Sequence, residues 1–272
     1  MAAPSAPPIG RRLFVGPRML VGPRMLVERN LLIYRHTWYL LLAEIFEPVM
    51  YLLSMGIGIG ELVGHVAGLG PKNVDYPSFV APALLATAAM NGAMNETTFN
   101  MFAKLKLLRT YDSILATPMT VRDIGLGEVY WAVLRGTLIS TSFLVVVTAF
   151  GLAVSPWIVL VVPAAALIGF AFAATGLVVV TYLRNWQDFQ LIQLAMLPMF
   201  LFATTFYPLG VYPRWLQFVV ECLPLYQSIQ LVRGVALGEL GAGLVPPVLY
   251  LAALGSLATA WGLRRIRGFL LR

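Results

Sequence analysis

TYDSILATPMTVRDIGLGEVYWAVLRG, Thr110–Gly136, lies between two long apolar runs, and its reading decides the fold. Its first half is polar and turn-forming, with Thr117-Pro118 in the middle; its second half becomes apolar without a break. The chain around it is 59% hydrophobic and 11% charged over 272 residues, with a mean hydropathy of +0.81. Apolar runs of about 20 residues, the length that crosses a hydrocarbon core, recur on both sides. The segment is therefore a polar loop between membrane spans.

Six spans are expected, near Trp38–Gly60, Ser78–Ala103, Glu128–Phe150, Trp157–Leu183, Phe189–Leu209 and Leu244–Leu263. Backbone groups in lipid must pair internally, and no alternating barrel pattern is visible. Each span is thus a helix, and the fold class is an all-α polytopic membrane protein. Pro48, Pro82, Pro163 and Pro198 fall inside spans, where neighbouring helices can satisfy the freed carbonyls. Two apolar runs, Trp215–Leu223 and Leu225–Val235, are too short and interrupted to cross. They read as outer re-entrant or interface-lying helices between spans 5 and 6, broken at Pro224; an extra pair of spans is the alternative. Trp215 and Phe218 suit the headgroup zone, and Cys222 is expected to be a packed thiol.

Residues 1–27 form an expected mobile basic tail, and 28–272 a single transmembrane domain. The tail carries a tandem copy, VGPRML, at Val15–Leu20 and Val21–Leu26, too short to build a repeat fold. ERNLLIYRHTWYL, from Glu28, mixes cations with aromatic and aliphatic residues, the pattern of an interfacial helix beside membrane lipids. No cleaved signal peptide is expected; the first span would target the chain.

The basic residues set the orientation. Arg11, Arg12, Arg18, Arg24, Arg29 and Arg35 precede the first span. Lys104, Lys106, Arg109 and Arg122 follow the second, Arg184 the fourth, and Arg264, Arg265, Arg267 and Arg272 the last. The other side holds Lys72, Arg214 and Arg233. The positive-inside rule places both termini in the cytoplasm, and with them the Thr110 segment. The net charge of +7 follows the same distribution, so no nucleic-acid partner is expected. One cysteine excludes an internal disulfide.

Catalytic constellations are missing from the sequence. His36 and His65 are expected on opposite sides of the bilayer, and no GxxxxGK[ST] phosphate loop occurs. GIGIG, Gly56–Gly60, closes an apolar helix and follows no strand, so it reads as a close-packing surface rather than a dinucleotide fingerprint. A membrane-embedded lipid-linked transferase would need Asp, Glu or His clustered at one membrane face, and no such cluster is expected. A non-transporting scaffold subunit stays open as a second alternative.

The stretch TYDSILATPMTVRDIGLGEVYWA resembles the cytoplasmic segment of type-2 ATP-binding-cassette exporter permeases. LPMFLFATTFYPLGVYPRWLQFVVECLPLYQSIQLVRG is similar to that family's fifth span and outer helices, and FEPVMYLLSMGIGIG to its first span. The likeness runs from Glu28 to the final arginines and is nearest to nodulation-factor and daunorubicin-type exporter permeases. It implies a transmembrane permease that pairs with a second copy or close paralogue. A separate nucleotide-binding ATPase would carry ATP and Mg, with no cofactor on this chain. The expected location is a bacterial cell membrane and the expected cargo amphipathic, drug-like, lipid-like or glycolipid.

On that resemblance Arg109, Thr110, Tyr111, Asp112, Leu115, Thr117 and Pro118 are the candidate coupling residues. They would form a short surface helix over Thr110–Thr117, ended before Pro118, that plugs into the ATPase. A substrate path is expected along Asn91, Asn95 and Thr98, spaced for one helix face, and along Phe202 and Phe206, four apart. Ordinary helix packing explains the same spacing. Glu44 and Glu47 share a face of the first span, roughly 9 and 14 Å deep from Trp38, and Arg135 lies roughly 10 Å into the third. Charges that costly in lipid should pair, so Arg135 is expected on Glu44 or Glu47. Two alternatives stay open: spans that start later, leaving all three wet, and a proton or cargo path through the glutamates.

Overall fold

The computed structural model describes residues 18–36, 38–60, 65–66 and 74–270. The first 17 residues of the expected tail, and Lys72, lie outside them. Among the described residues the fold is all-helical apart from one two-residue pairing, β1 (His65–Val66) antiparallel to β2 (Val74–Asp75).

Helix α1 spans Arg18–Tyr34, so residues 18–27, expected as mobile tail, are helical. The reason lies in packing. Leu26 is buried against Gly127, where a Cβ would come within 2.7 Å of the leucine, and an exposed Arg24–Glu28 pair spans one helical turn. Leu31, Leu32 and Ile33 stay exposed in the last turn of α1.

Helix α2 (Tyr39–Tyr51) continues as a π-helical stretch over Leu52–Ile59, just after Pro48 removes a backbone donor from the ladder. Gly56 and Gly60 rest on Pro77 at ordinary van der Waals distance, 3.5 Å from a would-be Cβ, so the pair does not enforce close approach. Helix α3 (Tyr76–Asn95) is the centre of the bundle, buried along nearly all its length, and continues through π turns at Glu96–Asn100 and Ala103–Leu107.

After the short helix α4 (Thr110–Leu115) comes α5 (Val121–Ala149). Thr120 caps α5 by a capping box: its Oγ1 accepts from the Asp123 N–H, and the Asp123 carboxylate accepts from the Thr120 N–H. Helices α3 and α5 cross at Gly136, where a Cβ would meet the Ala89 carbonyl at 2.6 Å. Small residues let two helices approach this closely in a membrane bundle.

A 3₁₀ turn at Pro156–Leu160 leads into α6 (Val161–Val180). Pro163 therefore sits in the first turn of α6, where a missing N–H interrupts nothing. Next come α7 (Phe189–Phe202), α8 (Arg214–Glu221), α9 (Pro224–Leu237) and α10 (Val245–Leu270). Pro224 divides α8 from α9, as expected. Trp215 and Phe218 are exposed on α8. Cys222 is exposed too, which corrects the expectation of a packed thiol: it caps the end of α8, whose last turn is held in place by Val220 instead.

Among the described residues three helices are long and apolar enough to cross a membrane: Val121–Ala149, Pro156–Val180 and Ala242–Leu270. The expected first, second and fifth spans are built differently. The first breaks into an α and a π part, the second carries Asn91 and Asn95, and the fifth is α-helical for only 14 residues.

Candidate functional site

The chain turns at Arg109, whose φ of 43° lies in the left-handed region, and enters α4. Arg109, Asp112, Thr117 and Pro118 are exposed; Thr110 and Leu115 are half-buried. The helix ends two residues earlier than expected because the Thr117 Oγ1 donates to the Ile114 carbonyl at 2.6 Å, closing a turn before Pro118. Tyr111 alone of these seven is buried, at 1% exposure, and it points into the bundle.

There its hydroxyl donates to Glu128 Oε1 at 2.9 Å. Burial, and then the Glu128 charge, push this phenol well above its ordinary range, so it remains a donor at any physiological pH. The other Glu128 oxygen accepts from Lys104 Nζ at 2.8 Å, and Lys104 also reaches Glu96 Oε1 at 3.2 Å. Glu96 Oε2 accepts from Arg135 Nη1 at 2.6 Å, from Asn100 at 2.6 Å and from the Tyr34 hydroxyl at 3.0 Å. Arg135 Nη2 pairs with Glu44, and its guanidinium lies over the Tyr34 ring. An unbroken polar chain thus runs from the loop helix to Glu128 of α5, through Lys104 and Glu96 in the π turns after α3, and by way of Arg135 of α5 to α2, with Tyr34 of α1 bound at Glu96.

The structure therefore joins Arg135 to Glu44, while Glu47 lies exposed beside them. Sequence reasoning missed Glu96 and Glu128: Arg135 bridges Glu44 of α2 to Glu96 in the π turn after α3, and Lys104 bridges Glu96 to Glu128 of α5. The signal was present in MNETTFN, since an ionisable residue inside an apolar span calls for a partner. The oxygens of Glu96 and Glu128 are all taken by donors, so the cluster is an ion-pair network rather than an acid–base site.

On the α2 side the network borders a cavity of about 180 Å³ walled by α2, α3, α5 and α7. Glu44, Glu47, Asn91 and Asn95 line it, as do Tyr51, Gln193 and Phe200. Thr98 does not: it is buried and its Oγ1 donates to the Met94 carbonyl at 2.7 Å. The cause is the π turn beginning at Glu96, which rotates Thr98 off the face that carries Asn91 and Asn95.

Phe202 and Phe206 likewise do not share a helix face, because α7 ends at Phe202 and Thr204 takes a left-handed φ of 63°. Phe202 is exposed near the Tyr212 ring, and Phe206 packs edge-on against Phe200 at 5.3 Å. The charge pattern of the sequence counts Arg233, on α9, among the outer charges. The arginine is in fact buried, donates to the Thr204 carbonyl at 2.9 Å and lies 4.0 Å from the Phe79 ring centroid.

Asp188, in the turn before α7, is half-buried and accepts the backbone N–H groups of Arg184 at 2.6 Å and Asn185 at 3.1 Å. These donors hold its carboxyl below the usual range.

A model of the ABC-2 type transporter family matches residues 24–237, from α1 through α9. The chain belongs to the ABC-2 type transporter family. It is 34% identical over 215 residues to Nodulation protein J of Sinorhizobium fredii, covering 79% of each chain. With Nodulation protein J of Rhizobium meliloti it shares 33% identity over 202 residues, 73% of this chain and 74% of the relative. The Azorhizobium caulinodans protein of the same name is 26% identical over 216 residues, 79% and 82% of the two chains. As an ABC-2 protein the chain is a transmembrane subunit of a bacterial ABC transporter, a class whose ATPase is a separate subunit.

Proposed function

We propose that this chain is the permease of an ATP-driven exporter that moves an amphipathic cargo outward. Two copies would pair, each binding a separate ATPase that holds ATP and Mg, and the Thr110–Pro118 segment would be the docking lever. Six spans with both termini cytoplasmic put that segment on the ATPase side, and α8 and α9 would form an outer re-entrant cap. One observation carries this reading: Tyr111 is buried and begins a continuous chain of charge-assisted bonds that ends at Glu44, in the wall of a cavity. Such bonds are short and directional, so a rigid movement of α4 would be passed on to α2 and α3 rather than lost in the loop. The exposed faces of Arg109, Asp112 and Pro118 leave the outer side of the lever free for a partner.

The test is co-purification with the candidate ATPase and cargo-stimulated ATP hydrolysis. Charge reversal at Arg109 and Asp112 should abolish the stimulation and weaken co-purification while the permease remains folded. Mutants that bind the ATPase and respond to cargo normally would refute docking at this segment.

A further inference from the structure

We infer that the cavity at Glu44 and Glu47 takes the positively charged end of an amphipathic amine, so that the cargo of the transport reading above is a lipophilic organic cation. Glu44 and Glu47 are the charged residues of the cavity wall, which contains no Lys, Arg or His among the described residues. Arg135 approaches Glu44 from behind, and it divides its charge with Glu96. Lys104 is similarly shared between Glu96 and Glu128. Glu44, Glu47, Glu96 and Glu128 thus face two cations, and Arg29 acts at the far, Tyr111 end.

The surplus is at the cavity. Glu44 Oε2 is buried without a hydrogen-bond partner, and Glu47 is exposed with none among the described residues. A carboxylate oxygen only accepts, so it wants a donor, and a surplus of negative charge wants a cation.

The rest of the wall agrees with that ligand. Tyr51 and Phe200 stand edge to face with centroids 5.6 Å apart, and aromatic faces attract ammonium groups. Asn91, Asn95 and Gln193 line the same wall, and each carries an amide oxygen able to accept from an N–H donor. Leu84, Met196 and Leu197 supply apolar surface for the carbon skeleton next to the charge. The volume of about 180 Å³ admits a head group, with the remainder of the molecule lying along the open side. An anionic head would meet two carboxylates and no cation in the wall.

Three probes share one fluorophore and differ in charge: dansylcadaverine carries an ammonium, dansylamide is neutral and dansylglycine carries a carboxylate. Their binding is measured by fluorescence to the permease in lipid nanodiscs, alone and with its ATPase, together with ATP hydrolysis by the complex. Dansylcadaverine is expected to bind at least tenfold more tightly than the other two and to stimulate hydrolysis most. Glu47→Gln should weaken dansylcadaverine about tenfold and leave dansylamide unchanged, and Glu47→Asp, which keeps the charge, should retain the preference. Equal affinity for the three probes, or a preference for dansylglycine, overturns the inference. So does a Glu47→Gln variant that weakens all three alike, or one that changes the number of permease copies in the complex, since Glu47 would then face the second copy. Failure to assemble with an ATPase would refute the transport reading instead, and the binding preference of the permease alone would be measured regardless.

Discussion

The hydroxyl of Tyr111 and the carboxylate of Glu128 are 2.9 Å apart, both buried, and they join the short loop helix to the long helix that follows it. Because Glu128 is also held by Lys104, and Lys104 by Glu96, the contact is the first link of a chain rather than a local pair. Tyr111→Phe keeps the ring and removes the donor. A lost hydrogen bond to a buried charge costs about 1.5–3 kcal/mol, so the variant should fold with a lowered melting temperature. It should still co-purify with the ATPase but show reduced cargo-stimulated hydrolysis. Full stimulation in a folded Tyr111→Phe would separate the network from coupling.

Arg135 is the one cation that joins Glu96 to Glu44 among the described residues, and its loss should be strongly damaging. Arg135→Gln leaves Glu96 and Glu44 without their shared cation. Breaking a buried pair in this way costs about 3–5 kcal/mol. Arg135→Glu should be worse, and Glu44→Arg should restore part of its stability, whereas Glu47→Arg should not. Rescue is expected to be incomplete because Glu96 keeps facing the new glutamate. Thermal unfolding of the detergent-purified variants decides between the two partners.

The crossing of α3 and α5 makes a steric prediction independent of charge. At Gly136 a Cβ would lie 2.6 Å from the Ala89 carbonyl oxygen, a backbone atom that cannot rotate away. Gly136→Val should therefore cost about 1–3 kcal/mol through overpacking and lower the yield of folded protein. Gly58, with nothing near its would-be Cβ, should accept alanine without loss. Equal yields for the two would mean that the helices do not approach this closely.

Asp188 gives a pH dependence whose sign is set by its depressed carboxyl. Its stabilising contribution to the turn before α7 is complete above its ordinary value of 3.8 and disappears only as pH falls through a lower folded value. At neutral pH the turn is thus fully held, and Asp188→Asn should loosen it there. A carbon-detected titration of the side chain should place its midpoint below 3.8; a midpoint at or above 3.8 would show that the two N–H donors do not hold it.

Cys222 is exposed at the end of α8, close to the Tyr250 hydroxyl, which donates to its carbonyl at 2.7 Å. A membrane-impermeant maleimide should label it rapidly in intact cells if α8 and α9 lie on the outer side. Labelling only after permeabilisation would reverse the proposed orientation.

Composition and run length were enough to read a helical membrane protein, because lipid leaves the backbone no alternative to internal pairing. The Thr-Pro of the loop likewise announced a helix stop near Pro118, and equal depth suggested that Arg135 would seek a glutamate. These are local or one-dimensional properties: length, periodicity, and the cost of a charge in oil. Periodicity failed where the helix changed its pitch. The π turn at Glu96 moved Thr98 off the Asn91 face, and the left-handed Thr204 broke the Phe202–Phe206 spacing. Which glutamate meets Arg135, and that Lys104 and Tyr111 extend the pair into a chain, was decided by tertiary packing alone. Tyr34, Glu44, Glu96, Lys104 and Tyr111 belong to separate elements or turns and meet Glu128 and Arg135, two turns apart on α5; only the close crossing of α1, α3 and α5 at their glycines brings those side chains within hydrogen-bond reach.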